Sequence, residues 1–291
     1  MGIGWAEYIA MTLTAVAVAA AGWLVAVVLR QGRRMYRPDR RLEGRPSDAG
    51  LSYEDVWLTA GDGVKLHAWF MPADAAATAA AEEADSPGVL LMCHGNGGNI
   101  SHRLDSFALY HQLGLSVLAF DYRGYGQSEG VPSEQGTYLD AAAAWEHLVR
   151  ARGVPAERIL VLGRSLGGAV AAQLASTCRP AGLIVESAFS SVPELAAQWY
   201  PLLPVRRLCK FVYDTAAHVR RVQCPVLVLH SPRDERVPFS HARAIWENAS
   251  EPKWLVELDG AHNDAHRAAA AAYAAALRDF ARRCLSPLRA V

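Results

Sequence analysis

The pentapeptide GRSLG at 163–167 offers a candidate nucleophile, Ser165, with a glycine two residues to either side. In a tight strand-to-helix turn, side chains at 163 and 167 would collide. Glycines there let the Ser165 hydroxyl stand out on a strained corner. The apolar run Ile159–Leu162 before it reads as a strand, and the small residues of Gly167–Ser176 read as a helix. That helix would turn its N-terminal amides and partial positive charge toward an oxyanion, and Gly168 would bring it close to the sheet. The competing structural reading makes Ser165 a helix N-cap.

A neutral hydroxyl needs a base, and the base needs an orienting acid. Asp234 in HSPRDERVP follows the apolar burst Val226–Leu229, and His262 in LDGAHND follows Trp254–Leu258. The order Ser165, Asp234, His262 is that of a strand-end serine, acid and histidine set. His94 competes as the base, and Glu186 and Asp259 compete as the acid. His262 is preferred because Gly260 and Ala261 place it in an open loop. Asp264 is a candidate cap for the final helix. Two amides are expected to hold the oxyanion, those of Leu166 and of Asn96 in CHGNGGNISHR. That glycine loop lacks the lysine and spacing of a nucleotide loop. No ligand cluster has useful metal spacing, so neither a metal nor an organic cofactor is expected.

Elements must bring these residues together. Apolar bursts at Val89–Met92, Val117–Phe120, Ile159–Leu162, Leu183–Val185, Val226–Leu229 and Trp254–Leu258 alternate with helix-compatible stretches. The stretches are Arg103–Leu113, Gly136–Ala151, Gly167–Ser176, Ser240–Ala249 and Asp264–Cys284. Such alternation predicts an α/β fold with a mainly parallel sheet covered on both faces, and ligands beyond the strands' carboxyl ends. Tyr53–Pro72 reads as a hairpin around Asp62-Gly63, and the alanine-rich Ala73–Ser86 as a surface excursion. In FDYRGYGQSEG, Asp121 and Arg123 are expected to pair. Tyr122 is a pocket candidate, with packing as its alternative. Residues 187–221 suggest a small cap carrying Trp199, Tyr200, Leu202, Leu203, Phe211 and Tyr213, with ordinary helix packing as its alternative; Trp199 and Tyr200 are the pocket candidates.

The 291 residues suffice for one large α/β domain, placed at 51–285. Formal net charge is zero, which argues against a nucleic-acid partner. Five scattered cysteines argue against a disulfide scaffold. The sequence leaves the oligomeric state open. Residues 8–29 carry no charge, are long enough for a bilayer core, and are followed by Arg30, Arg33, Arg34 and Arg37. The expectation is a single-pass transmembrane helix with a cytoplasmic domain, joined through a linker at 30–50. A cleaved secretory leader would require a basic start, which is missing.

Together HGNGGNISHR, DYRGYGQSEG, GRSLGG, HSPRDERVP and GAHND resemble the alpha/beta-hydrolase superfamily, and more narrowly its membrane-associated Bem46-like group. The resemblance runs from about Tyr53 to Leu285. It implies a mostly parallel core, nucleophile Ser165, acid Asp234, base His262 and oxyanion amides from Asn96 and Leu166. Ser231 departs from the glycine frequent in relatives. The expected function is a membrane-anchored serine hydrolase cleaving acyl esters or thioesters, its substrate an acyl ester, a lipid or an acylated protein. A serine amidase or peptidase is the neighbouring alternative. A non-catalytic membrane-tethered interaction protein is the alternative of another class.

Overall fold

The nearly unbroken apolar bursts become strands with both faces covered, as their lack of alternation requires. A computed structural model of the chain describes residues 4–73 and 88–285, without the side chains at 20, 21, 24, 27 and 29. The expected alanine-rich excursion falls largely outside the described residues. The strands are β1 Glu54–Thr59, β2 Lys65–Met71, β3 Val89–Cys93, β4 Ser116–Phe120, β5 Ile159–Arg164, β6 Gly182–Glu186, β7 Val226–His230 and β8 Lys253–Glu257. They form one sheet in the order β8-β7-β6-β5-β3-β4-β2-β1. β8 through β4 run parallel, and the β1–β2 hairpin is antiparallel at one edge. β3 to β7 are buried throughout, whereas β8 at the other edge is half-buried.

The longer helices are α1 Trp5–Leu29, α2 Leu104–Gln112, α3 Glu134–Glu146, α4 Leu166–Thr177, α5 Val192–Trp199, α6 Ser240–Asn248 and α7 Ala270–Leu285. Helices cover both faces of the sheet. On one face Leu91, Cys93 and Val161 pack with Ala144 and Trp145 of α3 and Ala169 and Val170 of α4. On the other, Leu90, Met92 and Leu160 pack with Phe107 and Tyr110 of α2 and Tyr273 and Phe280 of α7. Ser133 caps α3 by accepting from the Gly136 amide at 3.0 Å, a local signal that fixes where that helix begins. The chain leaves β4 and crosses β3 to enter β5, so its winding reverses between β3 and β5. The crevice beyond their carboxyl ends is where such sheets bind ligands.

Three expectations need correction here. Arg123 does not pair with Asp121. Its guanidinium meets Asp62 in the hairpin turn at 2.6 Å and buried Asp140 of α3 at 2.8 Å, while Asp121 accepts the Ile100 amide at 2.9 Å. The stretch expected as a linker packs on the domain. Tyr36 is buried with its hydroxyl 2.8 Å from that of Tyr213, and the Arg37 amide donates to the Asn96 carbonyl at 3.0 Å. The transmembrane helix, with its bilayer partner and single-pass location, is also withdrawn. Among the described residues no helix is long and apolar enough to cross a membrane. The α1 side chains at residues 5–19 are exposed, and further along α1 Trp23 and Val28 turn to a cavity described below.

Candidate active site

Ser165 sits between the end of β5 and the start of α4 with φ 53° and ψ −117°, a conformation that costs energy for any residue bearing a side chain. Its neighbours explain how the corner is reached. A Cβ on Gly163 would lie 2.1 Å from the Gly167 carbonyl oxygen, and one on Gly167 would lie 2.0 Å from that of Cys93. A Cβ on Gly168 would strike Ala188, so the close approach of α4 to the sheet depends on its absence. The amide of Ser165 is held by the Glu186 carbonyl at 2.8 Å.

Asp234 and His262 reach the same rim from the loops after β7 and β8. His262 Nδ1 is 2.7 Å from Asp234 Oδ2, and its Nε2 is 3.1 Å from Ser165 Oγ. Asp234 Oδ1 accepts from the amides of Arg236 at 2.9 Å and Val237 at 2.8 Å. Burial disfavours the Asp234 charge. The His262 hydrogen bond and charge, with the two amides, outweigh it and hold the carboxyl below the usual carboxylate range. The His262 loop is fixed on several sides. Its amide donates to Glu235 at 2.9 Å, and Arg164 donates to its carbonyl at 3.3 Å. Ser231, the departure from the resembled family, donates to the Gly260 carbonyl at 2.5 Å and so ties the acid loop to the histidine loop.

The rival residues are occupied elsewhere. His94 is buried, with Nδ1 2.7 Å from the Gly95 carbonyl and Nε2 3.4 Å from Asp121. Glu186 accepts the Tyr273 hydroxyl at 2.8 Å and faces Arg164 at 3.4 Å. Asp259 pairs with Arg233 at the surface. Asp264 does not cap the following helical turn with its side chain, which accepts the Ala261 amide at 2.5 Å instead.

Ser165, His262, Asn96 and Leu166 share the wall of a cavity of about 590 Å³. Leu166 opens α4, and Asn96 follows β3 with its carbonyl pinned by the Arg37 amide and the Tyr125 hydroxyl. The remaining wall is mostly apolar and includes Phe189, Leu195, Trp199, Tyr200, Leu203 and Phe211. Residues 187–221 thus supply much of it. Tyr122 does not line it, being fully buried with its hydroxyl donating to the His94 carbonyl. Sequence reasoning missed Trp23, Arg37 and Arg236, which line the same cavity. Trp23 and Arg37 lie in segments read as anchor and linker, and Arg236 carried no spacing signal apart from its nearness to Asp234.

Comparisons with known proteins bear on this geometry. Residues 84–212 match the family described as Serine aminopeptidase, S33. The uncharacterized protein Rv2307c of Mycobacterium tuberculosis is 38% identical over 250 residues, covering 86% of each chain. The alpha/beta hydrolase domain-containing protein WAV2 of Arabidopsis thaliana is 37% identical over 221 residues, covering 70% of this chain and 69% of its own. Among solved structures, the Pyrococcus furiosus esterase Pf2001 aligns with a TM-score of 0.69 at 19% identity, over 87% of this chain and 98% of that one. At that identity the likeness is one of fold. These matches carry no assignment to a membrane-associated Bem46-like group, and that narrower expectation is withdrawn with the spanning helix.

Proposed function

We propose that this chain, which belongs to the alpha/beta-hydrolase superfamily and is a serine hydrolase, cleaves carboxylic esters or thioesters through an acyl-enzyme on Ser165. The observation that carries this reading is the continuous link Asp234–His262–Ser165, at 2.7 and 3.1 Å, opening on an apolar cavity. His262 Nε2 takes the Ser165 proton as Oγ attacks the acyl carbon, while Asp234 holds the imidazole with Nδ1 protonated. The amides of Asn96 and Leu166 receive the oxyanion, aided by the N-terminus of α4. His262 then protonates the leaving oxygen or sulfur, and water activated by the same imidazole releases the acid.

The cavity favours a hydrocarbon acyl chain. Each buried methylene stabilises by about 0.8 kcal/mol, roughly fourfold in kcat/KM. Across 4-nitrophenyl esters from acetyl upward, kcat/KM is therefore expected to climb over several methylenes before levelling as the cavity fills. Matched thioesters and anilides complete the series, the anilides because the matched family is described as an aminopeptidase. A flat profile, or anilides cleaved faster than esters, would contradict the ester reading.

A further inference from the structure

Ser165 and His262 belong to two cavities at once. A second cavity, of about 510 Å³, shares Arg37, Asn96, Ser165, Arg236 and His262 with the apolar one. Its character is opposite. Four arginines, Arg37, Arg103, Arg164 and Arg236, line it against a single carboxylate, Asp39, and the backbone of Gly95 to Gly98 completes one wall. Two of these cations are already matched, Arg164 by Glu186 and Arg236 by Glu235, each at 3.4 Å. His102, also in the wall, lies 3.4 Å from Glu43. Among the described residues Arg37 makes no ion pair. Arg103 donates to the Gly97 carbonyl at 2.7 Å, while its buried Nε has no hydrogen-bond partner.

Burial and then the like charge of Arg164 pull the Arg103 pKa down to about 10. It remains protonated at neutral pH, so the wall presents unmet positive charge beside the serine. Glu186 and Asp121 favour its charge from beyond ion-pair distance and offset the burial only in part, so an anion in the cavity would relieve the remaining cost.

Building on the serine-hydrolase reading of the same site, we propose that the second cavity binds an anionic group, a carboxylate or a phosphate, carried by the leaving group. The preferred substrate then joins an apolar acyl chain to an acidic alcohol or thiol. Ser165 Oγ bonds to the acyl carbon as the bond from that carbon to the leaving oxygen or sulfur breaks. The leaving atom receives the proton that Ser165 gave to His262 and departs with its anion. Water then adds to the acyl carbon as His262 takes its proton, the bond from that carbon to Ser165 Oγ breaks, and His262 passes the proton to Oγ as the free acid leaves. Guanidinium groups suit this role, since their planar forks pair with carboxylate and phosphate oxygens.

The test uses three octanoyl esters on the full chain, those of glycerol, glycolate and glycerol 3-phosphate. At low salt at least one anionic ester is expected to exceed the neutral one by about tenfold or more in kcat/KM, and that advantage should shrink in 0.5 M NaCl. The ratio of anionic to neutral turnover should fall several-fold in Arg37→Gln and in Arg103→Gln. A merely structural loss would lower both substrates together and leave the ratio unmoved. If Arg103→Gln fails to fold, exposed Arg37 carries the test. An advantage confined to the carboxylate or to the phosphate ester identifies which anion the site takes. No advantage for either overturns the inference while leaving the hydrolase reading intact. Failure to cleave all three esters and 4-nitrophenyl octanoate overturns both.

Discussion

Asp234 is subject to opposing influences, burial against its charge and His262 with two backbone amides for it, and the second set prevails. Because its folded pKa is depressed, the stability it contributes is fully present above the unfolded value near 3.9 and is lost as pH falls through the folded one. Asp234→Asn should therefore lower kcat by about 10⁴-fold at neutral pH, as an acid-to-amide change does when it spoils the histidine tautomer. In urea titrations its stability deficit against wild type should shrink below pH 4; a deficit independent of pH would argue against an ionised Asp234. At this scale much was legible. Ser165, Asp234 and His262 stand at strand ends in a fixed order, and strand ends can be read from apolar runs. Arg123 was misread because its partners, Asp62 and Asp140, come from a hairpin and a helix that only the tertiary fold brings near it.

At the level of elements, the turn between β5 and α4 is where backbone meets backbone. Gly167→Ala forces a Cβ against the Cys93 carbonyl and is expected to destabilise by about 3 kcal/mol or more, or to prevent folding. Gly61→Ala is the control, since its nearest neighbour is a Leu139 methyl at 4.0 Å, and its midpoint should move by less than about 0.5 kcal/mol. Comparable losses in urea denaturation would remove the steric account of the turn. The glycines were legible because they answer a local demand. β3 to β7 were legible to within two residues at either end, since an apolar run marks a buried strand almost by itself, and half-buried β8 to within one. The residues at 30–50 were not. Their charge, proline and glycine suggest a tether, yet they pack through backbone bonds to Asn96 and Gly98, which leave no trace in side-chain composition.

Across the whole molecule, buried histidines link stability to acidity. Burial, and then His230, lower the His241 pKa to about 4, against weaker opposition from Glu194 and Asp234, while its Nδ1 sits 2.8 Å from the Ser190 hydroxyl. Burial also lowers His230 and His266. The unfolded chain binds protons at these sites near pH 6.5, so stability should fall as pH drops from about 6.5 toward 4. For His241 alone the loss is at most about 3 kcal/mol. Unfolding free energies at pH 7 and pH 5 should differ less in His241→Gln than in wild type; parallel slopes would remove His241 from this linkage. The two cavities belong to the same scale. They arise where α1, the segment after it, the 187–221 region and the loops after β3, β5, β7 and β8 converge, a meeting of distant stretches that no local pattern announces.

The central claim is that Ser165 is the nucleophile and that His262 makes it so. The measurement that meets it most directly is covalent labelling by a fluorophosphonate, followed by intact mass and peptide mapping. Wild type should gain one adduct on Ser165, Ser165→Ala should gain none, and His262→Ala should label far more slowly. An adduct on another residue, or wild-type ester turnover by Ser165→Ala, would contradict the account.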